Sequence, residues 1–377
     1  MMTPRERLLA AIRREETDYI PCAPTFWSSP TVEGYRWESL DERFDVCINR
    51  LGVDAAFDLG VSAARHPDVK ELAWVEEKSG ERYPLIHKEI ETPAGTLTCT
   101  VRKTEDYPHG DDIPLVSDFV VSRIVKPWIE TMEDVEKYSY LCMPPPDDAI
   151  GRLRASLASR RELLDKYQIP VRSACGMGLT ASLSLCGAEG AALLSVDKPD
   201  VIEALAEVEH RAAMQRVKLA VELGVDMISR NGFYETTDFW SPAQIERFIL
   251  PRLQREVRLA HEGGVPVVYT VCTGLMPMIP QLQKSGVDCL IAIEPVLGNQ
   301  DMKVIARELG KDKCIWAGVS GPIHIGEGSP EEVRAAVREA AATFGRRGFI
   351  LSAVPSIRPH WPWENVMAMI DEWKKVR

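Results

Sequence analysis

The sequence predicts an α/β fold: a single (β/α)8 TIM barrel over residues 1–377, with an N-terminal helix and an inserted β-hairpin region between strands 2 and 3. Three observations lead there. Eight short apolar runs of strand length lie along the chain, at 19–27, 55–59, 169–175, 225–230, 266–272, 289–294, 314–319 and 348–352. From the third run onward each is followed by a segment of helical character, the alternation that parallel strands with helical crossovers produce. A polar side chain stands at or just past the end of most runs, and barrels of this class carry their active site at the carboxyl ends of the strands.

The elements follow in order. The opening stretch MMTPRERLLAAIRREE reads as a charged amphipathic helix and lacks the apolar core of a signal peptide. After the second run, residues 62–146 read mainly as an excursion from the barrel. Within it, HKEIETPAGTLTCTVRKT alternates with period two on both sides of Pro93-Ala94-Gly95, the pattern of an antiparallel hairpin at about 84–105. Further on, Ser241-Pro242-Ala243-Gln244 and Ser329-Pro330-Glu331-Glu332 each set a Ser cap, a Pro at the first helical position and a Gln or Glu at the third. That is a capping box, so helices start there. Ile245, Phe248, Ile249, Leu253 and Val257 recur at helical spacing, as do Val333, Ala336, Val337, Ala340 and Phe344, and these stripes are expected to press onto the sheet.

Composition narrows the partners. A net charge of −11 argues against a nucleic-acid groove, which needs clustered Lys and Arg. No apolar stretch approaches the roughly 20 residues that span a bilayer, so no membrane is expected and a cytoplasmic location is. Nine cysteines without close pairing or CxxC spacing suggest reduced thiols. The sequence leaves a homodimer open.

The candidate pocket is read from the run ends: Trp27, Asp58, Cys175, Arg230, Asn231, Cys272, Glu294, Ser320 and Ser352. Arg230 to Asp238 is the richest polar loop, with Gly232 to let it turn. Phe233, Tyr234, Phe239, Trp240, Tyr269, Trp361 and Trp363 fall near presumed strand ends, and aromatic walls with a few polar groups describe a small-ligand site. The expected substrate-binding set is Trp27, Asp58, Arg230, Asn231, Phe233, Trp240, Tyr269, Cys272, Glu294 and Trp361. His360, held between prolines and tryptophans, is a candidate proton shuttle.

Nine blocks in order carry a family resemblance: TPRERLLAAIRREETDYIP, GLTASLSLCGAEG, VDKPDVIEAL, AVELGVDMIS, WSPAQIERFILPRLQ, VPVVYTVCTG, GVDCLIAIEP, GSPEEVRAAV and GFILSAVPSIRPHWPWENVMAMI. Together they resemble the uroporphyrinogen decarboxylase superfamily, whose members look like barrels of this kind. The branch is set by departures. The loop after the first run, Phe26 to Thr31, has no cation to hold a polycarboxylate, and Leu183, Glu235 and Pro355 fall where the decarboxylase tyrosine, serine and histidine belong, although Asp58 matches. The zinc-dependent thiol-activating methyltransferases of the superfamily use a His-x-Cys pair and a late Cys. Here Thr270-Val271-Cys272 and Pro355 stand in those places, and a single thiolate does not anchor zinc, so no zinc is expected. The resemblance then implies a methyltransferase that takes a methyl group from a small methylated compound, such as a methoxylated aromatic, and gives it to a corrinoid (cobalamin) carried by a partner protein. A decarboxylase of a small acid and a non-catalytic binding relative are the alternatives. Cleavage of a methyl ether releases an oxyanion that needs a proton or an ion; Glu235 or Tyr234 is the first choice for that acid, Asp58 and Glu294 are second choices, and His360 is the candidate if the loop residues do not serve.

Overall fold

The computed structural model describes residues 1–377, and its eleven strands form two sheets. The first strand, β1 (Phe57–Gly60), is followed by β2 (Lys70–Glu76), β3 (Leu85–Thr92), β4 (Gly95–Arg102) and β5 (Ile124–Lys126). The later strands are β6 (Val171–Gly176), β7 (Met227–Asn231), β8 (Val267–Thr270), β9 (Cys289–Ile291), β10 (Cys314–Ser320) and β11 (Phe349–Val354). One sheet is parallel and runs β1-β6-β7-β8-β9-β10-β11; the other is antiparallel and runs β2-β3-β4-β5. Helices link the parallel strands, among them Asp147–Tyr167, Pro199–Glu222, Leu250–Glu262 and Pro330–Phe344. Both capping boxes form, at Ser241 with Gln244 and at Ser329 with Glu332. No single helix is long and apolar enough to cross a membrane.

The parallel sheet has seven strands where eight were expected. The 19–27 run is extended but is not a strand, because Pro21 and Pro24 have no N–H to give to a ladder. Its other groups still bond to both sides. The Ala23 N–H donates to the Leu351 carbonyl at 3.0 Å, the Leu351 N–H donates to the Pro21 carbonyl at 2.9 Å, and the Asp54 N–H donates to the Cys22 carbonyl at 2.7 Å. The segment therefore joins β11 to the chain entering β1, and the sheet curls round to meet itself through it. Trp316, on β10, is buried in the interior of the curl and donates its indole N–H to the Ala23 carbonyl at 3.0 Å.

The excursion is larger than a hairpin. β3 and β4 pair around the two-residue loop Pro93-Ala94, with β2 and β5 added on the flanks. One face of this sheet is buried through Ile86, Ile90, Leu97, Cys99 and Val101.

Candidate active site

Strand alternation decides which side chains reach the interior. On β7, Ser229 and Asn231 face a cavity of about 270 Å³ at the carboxyl ends of the strands, while Arg230 between them faces the helices. Arg230 pairs in register with Tyr269 on β8, and Asn231 pairs with Thr270, so Tyr269 points outward with Arg230 and Thr270 points inward with Asn231. The same rule places Arg172 and Ala174 of β6 and Asp58 of β1 on the cavity. Thr25, Phe233, Ala292 and Pro355 complete much of its lining. Ala292 has φ +74°, a left-handed conformation uncommon for a residue with a side chain, and such positions gather where a site constrains the backbone.

The cavity's charged pair is Arg172 and Asp58. Arg172 Nε donates to Asp58 Oδ1 at 2.6 Å and its Nη2 donates to Oδ2 at 3.0 Å, a two-bond pairing of guanidinium and carboxylate. The Asp58 side chain is 54% exposed and that of Arg172 14%, so the carboxylate stands toward the opening and the cation lies deeper. The guanidinium carbon sits 5.8 Å from the Trp316 ring centroid, within range of a cation–π contact. Asn231 accepts through Oδ1 from Ser229 Oγ at 3.2 Å and Thr270 Oγ1 at 3.5 Å, and its amide nitrogen makes no bond within the protein. That leaves a donor beside the cavity.

Behind this wall lies a buried ionic network. Arg230 Nε donates to Glu256 Oε2 at 2.8 Å and Nη2 donates to Glu235 Oε1 at 3.0 Å. Glu235 also accepts from the Leu179 N–H at 2.8 Å and from the Tyr269 hydroxyl at 2.9 Å. His210 Nδ1 is 2.8 Å from Glu256 Oε1. Burial raises the Glu235 carboxyl above its usual range against the opposing pull of Arg230, and it raises the Tyr269 hydroxyl with the Glu235 charge adding to it. Two glycines make room. A Cβ on Gly178, which has φ +50°, would fall 1.8 Å from Arg230 Nη2, and one on Gly232 would fall 2.3 Å from the Tyr269 ring.

Several expectations are corrected by this arrangement. Glu235, Arg230 and Tyr269 lie outside the cavity, where Glu235 accepts from both of the others and Arg230 keeps Nη1 without a partner. Trp240 is core: it is buried against Phe248 and donates its indole N–H to the Tyr234 carbonyl at 2.9 Å. Tyr234 is half-buried against Phe239, and burial together with the nearby Asp118 raises its hydroxyl well above the usual range, which suits a hydrogen-bonding group better than a readily ionised acid. Glu294 is buried and accepts the N–H groups of Val296 and Leu297, bracing its own loop. Cys272 lies beside it with a thiol pushed up to about 12 by burial and by the charges of Glu294 and Asp118, hence a poor nucleophile. Trp361 packs over Gly321 and Gly326, His360 is exposed, and Trp27 is 65% exposed under the Arg358 guanidinium. Asp58, Asn231 and Phe233 are the expected residues that the cavity does bring together. Thr25, Arg172, Ser229 and Thr270 were missed, although a cation inside the apolar run VRSACG was a visible signal.

With that geometry in place, the relatives can be compared. Residues 114–376 match the uroporphyrinogen decarboxylase (URO-D) family. The chain belongs to that family. A uroporphyrinogen decarboxylase of Geobacter sp. (strain M21) is 26% identical over 265 residues, 67% of this chain and 73% of that protein. One from Myxococcus xanthus (strain DK1622) is 22% identical over 366 residues, 94% of this chain and 91% of that protein. Among solved structures, a methyltransferase from Methanosarcina mazei aligns over 100% of this chain and 99% of its own with a TM-score of 0.60 and 18% identity, a likeness of fold. The nine sequence blocks thus pointed to the right family.

Proposed function

We propose that this URO-D family chain is a methyltransferase that moves a methyl group from a small methylated substrate, such as a methoxylated aromatic, to a corrinoid carried by a partner protein. The observation that carries this reading is the charge balance of the cavity. Its one lining cation, Arg172, is already matched by Asp58, so a substrate with many carboxylates would be desolvated there without partners. A volume of about 270 Å³ with Phe233 and a set of neutral hydroxyl and amide groups suits a small, nearly neutral compound. The full-length likeness of fold to the Methanosarcina mazei methyltransferase is in keeping with it.

A reduced corrinoid supplies the nucleophile for the methyl carbon, and this chain's residues bind and orient the donor. Exposed Trp27, Phe239, Val296 and Leu297, on loops that follow three of the inward-facing segments, give the carboxyl-end face an apolar character that fits a docked carrier. Asn231, through its free amide, is the neutral donor that would meet charge developing on the departing oxygen, with Arg172 able to add only the Nη1 that Asp58 does not engage. Glu235 is withdrawn from that role by its three hydrogen bonds. The alternative, a carboxy-lyase for a small acid, is favoured by one feature, the Arg172 cation deep in the cavity. Incubation of the full chain with cob(I)alamin and a panel of methoxylated aromatics and methylamines, followed by methylcobalamin absorbance, tests the proposal. Loss of CO2 from a small acid without methyl transfer would instead favour the carboxy-lyase, and binding without turnover a non-catalytic relative.

A further inference from the structure

The outermost strand of the antiparallel sheet is open. All seven residues of β2, Lys70-Glu71-Leu72-Ala73-Trp74-Val75-Glu76, are exposed, including Leu72 at 61% and Trp74 at 41%. A long, apolar, unpaired edge is a template for another strand unless something covers it. The ladder tells which groups are free. Thr92 and Gly95 flank a two-residue loop and form the first hydrogen-bonded pair of the hairpin, so Ile90, Lys88 and Ile86 bond to β4, while Glu91, Glu89, His87 and Leu85 turn their backbone toward β2. Their partners on β2 are Lys70, Leu72, Trp74 and Glu76. Glu71, Ala73 and Val75 therefore present their N–H and C=O groups to solvent along the open edge.

We infer that this edge pairs with the same edge of a second copy, antiparallel and centred on Ala73. The strand is complementary to itself about that point. Lys70 falls opposite Glu76 of the other copy, Leu72 opposite Trp74, and Glu71 opposite Val75, so the middle gains an apolar cluster on one face and each end sets an opposite-charge pair beside the Lys70–Glu91 (3.7 Å) and Glu76–His87 (2.9 Å) contacts that each chain already makes. The backbone agrees with the side chains. In this register Ala73 meets Ala73 and Glu71 meets Val75, and these are the residues whose N–H and C=O groups are free. A shift by one residue would set free groups against groups already bonded to β3, and a shift by two would put Lys70 opposite Trp74 or Leu72 opposite Glu76. The union extends two four-stranded sheets into one of eight, on strands apart from those that form the cavity.

The two charges give a test that does not depend on the catalytic reading. Sedimentation velocity over a concentration series of the full-length protein should reveal a dimer. Lys70→Glu and Glu76→Lys each turn two attractive contacts into two repulsive ones and should weaken association by at least about tenfold. An equimolar mixture of the two variants should regain dimers, because a Lys70→Glu chain beside a Glu76→Lys chain restores an opposite-charge pair at both ends. Far-UV circular dichroism of each variant shows whether the exposed strand still folds. A wild type that stays monomeric over the series, variants that associate as tightly as wild type, or a mixture that stays apart would each overturn the inference.

Discussion

Glu235 accepts three hydrogen bonds from Leu179, Arg230 and Tyr269, and this fixes what it does. A buried carboxylate that neutralises a buried guanidinium is costly to remove, because the cation is left behind. Glu235→Ala is expected to lower the unfolding free energy by about 3–5 kcal/mol, read from the urea midpoint, with Glu256 left as the remaining partner of Arg230. A loss within measurement error would mean that the network is dispensable. Asn231 is the contrasting case, facing the cavity with a free amide. On the methyl-transfer reading, Asn231→Ala should reduce kcat/KM by about 10² to 10³, the usual worth of one positioned oxyanion donor, with the urea midpoint nearly unchanged. An unaltered rate would pass the role to Thr270 or Arg172.

At the scale of elements, the apolar runs located seven strands, and Ser-Pro pairs with a following Gln or Glu marked two helix starts, because both signals are local. The site was less legible, for a reason that lies in strand geometry. Taking the last polar residue of each run mixes inward and outward positions, and Arg230 and Asn231, adjacent in sequence, end on opposite sides of one sheet. A strict period of two would have grouped Ser229 with Asn231 and Arg172 with Ala174. The contribution of Leu179 to the Glu235 network, from the short 3-10 helix Gly178–Ala181 and 56 residues away in sequence, has no local sign. Gly232 ties strand and loop together. With Tyr269 occupying the space a methyl would need, Gly232→Ala should cost about 1–3 kcal/mol in a denaturant titration, by pushing the ring off Glu235. A neutral effect would show that the loop yields freely.

Across the whole molecule, the N-terminal helix Pro4–Ile12 is pinned to the sheet by a buried pair. Arg7 Nη1 donates to Asp54 Oδ1 at 2.5 Å, and Asp54 Oδ2 accepts from the Cys22 N–H at 3.3 Å. Burial outweighs the pull of Arg7 and pushes the Asp54 carboxyl up to about 6. Its folded value therefore lies above its unfolded one. Between about pH 4 and pH 6 the folded chain keeps a proton that the unfolded chain has released, so this group's contribution to stability falls as pH rises through that window, by about 3 kcal/mol. Asp54→Asn should remove that fall. Urea midpoints of both proteins at pH 4.5 and pH 7 measure it, and parallel pH profiles would show that Asp54 does not titrate there.

The prolines that keep 19–27 from becoming a strand leave the curled sheet with a seam. Elsewhere neighbouring strands hold each other through continuous pairing, broken only by an irregularity between β6 and β7 at Ala174–Gly176, but β11 and β1 meet across a segment that offers isolated bonds at Cys22, Ala23 and Trp27. Thr25, Asp58 and Pro355, three of the cavity's lining residues, stand along that line. Local opening follows the places with the fewest protecting bonds. Deuterium should therefore enter the amides of Ala23 and Trp27 well before those of Ile228 and Val268 on the inner strands, and a ligand seated against Thr25 and Asp58 should slow that uptake at the seam first. Uniform protection around the sheet would show that the curl is closed as firmly there as anywhere. Early exchange there would make the seam a slit in the enclosure, and a molecule that fills the cavity would then lace it shut.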